Sequence, residues 1–505
     1  MSRTTTERIR EMSQDYGKKI AVSQGDWFIS YNDLVKEIDK EAGKLKKAGI
    51  KEGMLVVIVL PTHWHTLRLF LGCFQIGAIP LPLSPKYPPK MIEKTFHASD
   101  ASLVVAQSQF QELLERLPLA IMGENGEIRF PSTVRNFETP LPVFDSPIAA
   151  FFSTSGTTGT PKIVMLTHKN ILSDIDSCFD LVDIYPEDRM LGLLPMFHVF
   201  GFSIAYMLPL AKGMTLTIVP AIYPATNLIE SLKKYQSTVF LGVPAIFSIL
   251  AGARAKASFD LNPLRLPICG GDALPSRVRK AFERGFGLNI MEGYGITEAS
   301  PVVSINPSPL TRIPGSAGPV ISEINLQVVD DNGKTLTVGE VGEIILSGSP
   351  VSPGYFNNPE ENEHAFRGKW FYTGDLGKLD EKGNLYIEGR KKELIIVSGF
   401  NVFPQEIEEV IMGIPGVART AVVGVQRASR GEMVKAYVVP GEGGWFWSVY
   451  FSLASGRREP MKSRPLINPW KYSMISPRLP ITTFFSIFSV GHKPSLYFLM
   501  LFESD

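Results

Sequence analysis

The sequence has few cysteines, almost no net charge and no long apolar run. Its three cysteines, Cys73, Cys178 and Cys269, stand far apart in apolar settings within 505 residues. They form neither a disulfide framework nor a metal-ligand cluster, and a reducing compartment suits them. Lys plus Arg number 51 and Asp plus Glu 50, a net charge of +1, so no basic surface points to nucleic acid. No run reaches the roughly 18 apolar residues of a spanning helix. The opening MSRTTTERIREMSQDYGKK lacks the apolar core of a secretory signal. Hydrophobic residues make up 44% and charged residues 20%, which excludes a mainly disordered chain and leaves ample material for a core. At about 150 residues per domain the length allows two to four domains. The remaining class is a large intracellular protein, most simply an enzyme.

From residue 54 short apolar runs alternate with stretches long enough for helices. MLVVIVL (54–60) reads as a buried strand and the segment to Ile76 as a helix. SLVVAQ (102–107), IAAFFS (148–153), MLGLLP (190–195), TLTIV (215–219), STVFLGV (237–243) and LPICGG (266–271) continue the series. This is the βαβ pattern of a largely parallel sheet with helices on both faces. After about residue 315, Gly-punctuated strands such as INLQVVDDNGKTL and GEIILSG predict an antiparallel or barrel-like subdomain, with a turn at 331–333. Beyond GRKKE (389–393) the order strand, helix, strand, strand predicts a small α/β domain. Pro404 suits the first turn of its helix, and Ile407, Val410 and Ile411 share a face. The fold class is therefore α/β: a large N-terminal domain over 1–389, then the start of a small domain over 390–440.

Residues 441–505 break this pattern. Trp445, Phe446, Trp447, Tyr450 and Phe451 crowd together, acidic residues nearly vanish, and no amphipathic period can be followed. A locally inconsistent segment of this kind reads as a tail unrelated to the domain before it.

The strongest chemical signal is STSGTTGTPK, Ser153 to Lys162, directly after an apolar strand. Small and hydroxyl residues there expose N–H and O–H donors to an anion. Gly156 and Gly159 allow close backbone approach, and Lys162 adds a compact positive charge. It is not the usual GxxxxGK[ST] loop, because Pro161 precedes the lysine and no Ser or Thr follows it. A flexible linker is the weaker alternative.

This loop resembles the phosphate-loop signature of the adenylate-forming (AMP-binding) superfamily, and most of all its medium- and long-chain acyl-CoA synthetase branch. Further landmarks follow in family order: FISYNDL (28–34), LGCFQIGAIPLPLSP (71–85), PMFHVFG (195–201), GGDALP (270–275), GYGITE (293–298), YTGDLG (372–377), GRKKELI (389–395) and SGFNVFPQEIE (398–408). The resemblance spans about residues 20–440. It implies that Ser153, Thr154, Ser155, Gly156, Thr157, Thr158, Gly159 and Lys162 hold the β- and γ-phosphates of ATP. It implies that Gly270, Gly271 and Asp272 line the adenine, with Tyr294 stacked on it and Gly295 beside it. Thr297 would contact the α-phosphate and Glu298 would hold Mg²⁺. Asp375 would bind the ribose hydroxyls and Arg390 would support them. Lys392 maps to a hinge, and rotation about it would bring Gly399 to the thioester site. His198 would gate the acyl and pantetheine channels, whereas the bland reading of a lone His in an apolar run is a packed core residue.

The implied activity is that of an ATP-dependent ligase that forms acyl-AMP from a fatty acid and passes the acyl group to coenzyme A. Phe197, Val199, Phe200, Phe247, Ile296 and the stretch from Ala299 to Val302 map to the acyl wall, with no charged side chain to pair with an α-amino group. An aromatic acid stays open, as does a carrier protein in place of coenzyme A. The expected setting is fatty acid metabolism in the cytoplasm, with peripheral contact at the inner membrane also compatible. One departure stands out. The superfamily's late lysine, in a P-K-x-x-x-G-K context, has no counterpart: Lys462, Lys471 and Lys493 sit in PMKSRP, PWKYS and GHKPS. A nucleotide- and acid-binding remnant with weak turnover is therefore an alternative.

Overall fold

The structure, a computed structural model, describes residues 3–137, 139, 141–154, 162–220, 225–257, 259–397, 400–414, 417–427, 431–440, 447–453, 487–489 and 497–503. The chain divides into two compact units, Met1–Thr373 with Lys378–Ile387, and Gly374–Gly377 with Glu388–Asp505.

In the first unit, an eight-stranded sheet runs Val302–Ile305, Met291–Gly295, Leu266–Cys269, Val239–Gly242, Arg189–Gly192, Thr215–Ile218, Ile20–Gln24, Trp27–Ser30. Its inner pairs are parallel and its two outer pairs antiparallel. A five-stranded sheet is parallel from Ile79–Pro82 through Leu55–Val59 and Leu103–Gln107 to Leu119–Met122. Strands covered on both faces read as unbroken apolar runs, and every residue of Leu55–Val59 is buried. The helix Trp64–Ile76 ends at Gly77 with φ +72°, a left-handed cap that glycine adopts without strain. A third sheet holds Ile324–Val329 and Gly342–Gly348 as an antiparallel pair. The turn at 331–333 forms as expected: Asp330 Oδ1 accepts from the N–H groups of Asn332 and Lys334, each at 2.9 Å.

One run departs from the βαβ series. Ile148–Thr154 pairs antiparallel with Lys162–Thr167 as a separate two-stranded ribbon. Seven residues separate them, too few for the crossover a parallel pair needs.

The first helix, Thr5–Tyr16, docks on the helix His168–Leu181 through a buried imidazole. The Thr5 N–H donates to His168 Nδ1 at 3.2 Å, and the Thr5 hydroxyl lies 3.0 Å from the same nitrogen. Burial lowers His168 from 6.5 to about 4. The folded chain thus keeps the ring neutral while the unfolded chain takes up a proton. Stability is complete above pH 6.5 and is lost as the pH falls toward 4, by about 2 kcal/mol at pH 5 and about 3 kcal/mol at the end. Denaturant midpoints at pH 7 and pH 5 should show this loss, and His168→Gln should remove that part of it.

The second unit has a sheet in which Val417–Arg427 pairs with Gly431–Pro440. The helix Pro404–Met412 buries Ile407 and Ile411 over Val422, Val434 and Ala436. Val410, expected on the same face, is exposed; an i, i+4 pair alone spans this narrow contact. Parts of the stretch expected to be an unrelated tail extend the sheet. Trp447–Leu453 pairs with Gly431–Pro440, setting Phe451 opposite Val434 and Val449 opposite Ala436, and Tyr497–Glu503 pairs with Trp447–Leu453 in turn. In WSVYFSL the apolar residues Trp447, Val449, Phe451 and Leu453 alternate with Ser448, Tyr450 and Ser452, a period of two rather than a helical one. No helix among the described residues is long and apolar enough to cross a membrane.

Candidate active site

The ribbon Ile148–Thr154/Lys162–Thr167 sets the site's frame. Its register pairs Thr154 with Lys162, so the strands themselves place the lysine at the mouth of the intervening loop. The first five residues of IAAFFST are buried and the last two emerge. Ser153 Oγ is buried there with no hydrogen-bond partner among the described residues, a capacity that a loop donor, a ligand or water can answer.

A second segment docks along Lys162–Thr167. Phe356 N–H donates to Ile163 O at 2.8 Å and Met165 N–H to Gly354 O at 3.1 Å, and Tyr355 bridges to Val164. Asn362 then clamps the Tyr355 backbone from both sides, accepting its N–H at 2.7 Å and donating to its carbonyl at 2.8 Å. The tyrosine is thereby fixed beside the lysine. Lys162 Nζ lies 5.2 Å from the Tyr355 ring centroid, within cation–π range. The same ammonium meets Glu361 Oε2 at 2.5 Å. The Tyr355 hydroxyl donates to Glu298 Oε1 at 2.7 Å. Burial, followed by the Glu298 charge, raises the Tyr355 phenol well above its ordinary value, so it stays a donor.

Glu298 lies in the short turn Thr297–Ala299 with Thr297 beside it, both half-buried. The turn is tied down by Ser352 N–H donating to Glu298 O at 2.7 Å and by the Ser300 hydroxyl donating to Pro350 O at 2.7 Å. Behind it, Asp174 Oδ1 accepts the Val302 N–H at 3.0 Å. Asp174 is fully buried, and burial raises its carboxyl well above the usual range.

Gly270, Gly271 and Asp272 follow the parallel strand Leu266–Cys269, at the carboxyl end where open α/β sheets form ligand crevices. A Cβ at Gly270 would stand 3.2 Å from the Phe200 ring, and Gly271 has φ +81°, so side chains are disfavoured at both. Asp272 is exposed and accepts the Ala273 N–H at 2.8 Å. The adjoining strand Met291–Gly295 is in parallel register, Cys269 beside Glu292, and brings half-buried Tyr294 and Gly295 to the same end. A Cβ at Gly295 would come within 2.4 Å of Pro301 O.

His198 sits just before the wide-turned helix Phe200–Met207, a form often found at functional sites. Its ring lies 4.6 Å from Phe197, centroid to centroid. The residue is exposed, yet desolvation by the surrounding protein lowers its imidazole below the usual value. Phe197, Phe200 and Ile296 are half-buried, as a wall requires. Phe247 is not: it is wholly buried, packed at 5.7 Å on Phe240 and 5.2 Å on Phe282, and serves the core.

In the second unit, Arg390 Nε lies 3.2 Å from Asp375 Oδ1, with the aspartate buried and the arginine exposed. Lys392 is exposed in the turn Lys391–Glu393. Ser155, Gly156, Thr157, Thr158, Gly159, Gly399, Lys462, Lys471 and Lys493 lie outside the described residues. Tyr355, Glu361 and Asn362 escaped the sequence reading. Gly354-Tyr355 ahead of an Asn358-Pro359 helix start is a visible local signal, but nothing local says which strand it docks on.

The description "AMP-binding enzyme" matches residues 9–356, and "AMP-binding enzyme C-terminal domain" matches residues 406–453, past Pro440. The chain belongs to the AMP-binding enzyme family. It is 29% identical over 482 residues to a long-chain-fatty-acid–CoA ligase of Bacillus subtilis, covering 87% of this chain and 86% of that protein. It is 30% identical over 429 residues to a feruloyl-CoA synthase of Amycolatopsis, covering 84% and 86%. Among solved structures, ATP-bound MatB from Rhodopseudomonas palustris superposes with a TM-score of 0.80 at 29% identity, over 88% of this chain and 90% of that one.

Proposed function

We propose that this chain is an ATP-dependent acid–thiol ligase that activates a fatty acid as its acyl-adenylate and transfers the acyl group to coenzyme A, releasing AMP and pyrophosphate. The observation that carries the reading is the linked set Lys162, Tyr355 and Glu298 at the mouth of the Ser153–Lys162 loop. It brings a fixed cation and a fixed carboxylate together close to the buried Ser153 hydroxyl, which has no partner among the described residues.

In this reading Lys162 and the loop donors hold the β- and γ-phosphates, and Thr297 orients the α-phosphate. They bring the acid's carboxylate and the α-phosphorus together while stabilising charge on the leaving pyrophosphate. Among the described residues no three His, Cys, Asp or Glu side chains form a metal cage. A single carboxylate, Glu298, suits Mg²⁺, which is commonly held by one or two carboxylates plus substrate phosphates. When bound, the ion would neutralise developing phosphate charge. Tyr355 holds Glu298 in place through its hydroxyl. Gly270, Gly271, Asp272, Tyr294 and Gly295 receive the adenine, and Asp375 with Arg390 the ribose. His198, at the edge of the acyl wall, gates the thiol's approach. All the nucleotide motifs lie at or before Arg390, and the small domain alternates between the two steps about Lys392, bringing Gly399 to the thioester site.

The half-buried apolar Phe197, Phe200 and Ile296 and the named long-chain relative support a fatty acid; the feruloyl relative makes an aromatic acid the competitor. Each buried CH₂ contributes about 0.8 kcal/mol, so KM should fall about fourfold per added CH₂ until the pocket is full. Acid-dependent ATP–pyrophosphate exchange with octanoate, dodecanoate, hexadecanoate, benzoate and ferulate reads this directly. Equal KM values for all five, or a preference for ferulate, would remove the fatty acid. Adding free coenzyme A or carrier-bound phosphopantetheine to the same assay separates the two thiol acceptors.

A further inference from the structure

We propose that Glu361 is the resting counter-ion of Lys162, a positioning residue that holds the ammonium at the loop mouth until phosphates arrive and then yields it to them. The inference rests on the reading of Lys162 as a phosphate-binding residue.

Both partners stand on fixed backbone. Lys162 begins the strand Lys162–Thr167. Glu361 lies in the first turn of the helix Pro359–Ala365, where its N–H donates to the Asn358 side chain at 3.3 Å. The two elements are joined by Phe356 N–H to Ile163 O and Met165 N–H to Gly354 O. The 2.5 Å contact between Nζ and Oε2 is therefore a meeting of two set side chains. On its other side the ammonium is bounded by the Tyr355 ring.

The side chains are 20% and 34% exposed, and that intermediate exposure decides the character of the pair. An ammonium partly withdrawn from water gains from a partner. A pair this open to water is nonetheless weak, worth up to about 1 kcal/mol, so a polyphosphate with several charges displaces it. Once a phosphate reaches Nζ, Glu361 competes with it for the same cation, two anions then standing beside one ammonium, with Glu298 a further negative charge on Tyr355. The carboxylate thus opposes phosphate binding while keeping Lys162 in place for it, which limits retention of the leaving pyrophosphate.

Titration calorimetry of the full chain with pyrophosphate and Mg²⁺ tests this without any acid substrate. Glu361→Gln keeps the shape and removes the charge; it should tighten pyrophosphate binding roughly fivefold, which is about 1 kcal/mol. Glu361→Ala should act in the same sense and stands in if the glutamine variant does not fold. Lys162→Met should weaken binding. A merely structural role for Glu361 would lower the melting temperature and weaken the ligand, never tighten it. Unchanged or weaker pyrophosphate binding by a folded Glu361 variant, with Lys162→Met weakened, overturns the counter-ion role alone. Unchanged binding by Lys162→Met overturns both that role and the phosphate reading beneath it.

Discussion

Glu298→Gln should lower acid-dependent exchange of labelled pyrophosphate into ATP by about 10²–10³. The substitution is nearly isosteric. The glutamine carbonyl can still accept the Tyr355 hydroxyl that now lies 2.7 Å from Glu298 Oε1. The Ser352 N–H still finds the backbone carbonyl of residue 298 at 2.7 Å. The turn Thr297–Ala299 should therefore hold and the melting temperature should stay put. What disappears is the negative charge, the one property a hard divalent cation requires of this residue. The loss should fall on the rate and on the Mg²⁺ concentration needed for half-maximal exchange. An exchange rate within a factor of three of the parent would remove Glu298 from the reaction.

The second large effect concerns the parent chain itself. Adenylation brings a carboxylate against the α-phosphate, and a cation between them both relieves repulsion and stabilises the transition state. The resemblance places that cation on a late lysine, and the contexts of Lys462, Lys471 and Lys493 do not match it. Loss of one well-placed donor costs about 10²–10³ in rate. Thioester formation from supplied acyl-adenylate does not depend on it. The two half-reactions, timed separately at high enzyme concentration, should therefore differ: adenylation slow by that factor relative to relatives that carry the lysine, thiol transfer far less affected. Adenylation at the relatives' rate would show that another cation serves.

Much of this architecture is legible in the sequence because buried parallel strands are written as unbroken apolar runs: LVVIV at 55–59 could hardly be anything else. The loop at 153–162 is legible for a different reason, since an anion needs small residues and donors at fixed spacing. What the sequence hides is tertiary docking. Tyr355 matters because Asn362 holds its backbone while Met165 and Ile163 hold those of its neighbours Gly354 and Phe356, and those partners are far away in the chain or visible only as a common Asn. Phe247 looks like a wall residue in an apolar segment, yet Phe240 and Phe282 enclose it. The stretch 447–453 was obscured by its aromatics, although its two-residue alternation fits the register it takes against Gly431–Pro440.

The most direct test of the account is the identity of the nucleotide product. The full chain, near stoichiometric with substrate so that slow turnover still registers, is incubated with ATP, Mg²⁺, coenzyme A and dodecanoate, and the products are resolved by mass spectrometry. AMP and dodecanoyl-CoA are expected in equal amounts, both absent without the acid. Acid-dependent ADP and phosphate, or no acid-dependent nucleotide product at all, would contradict it.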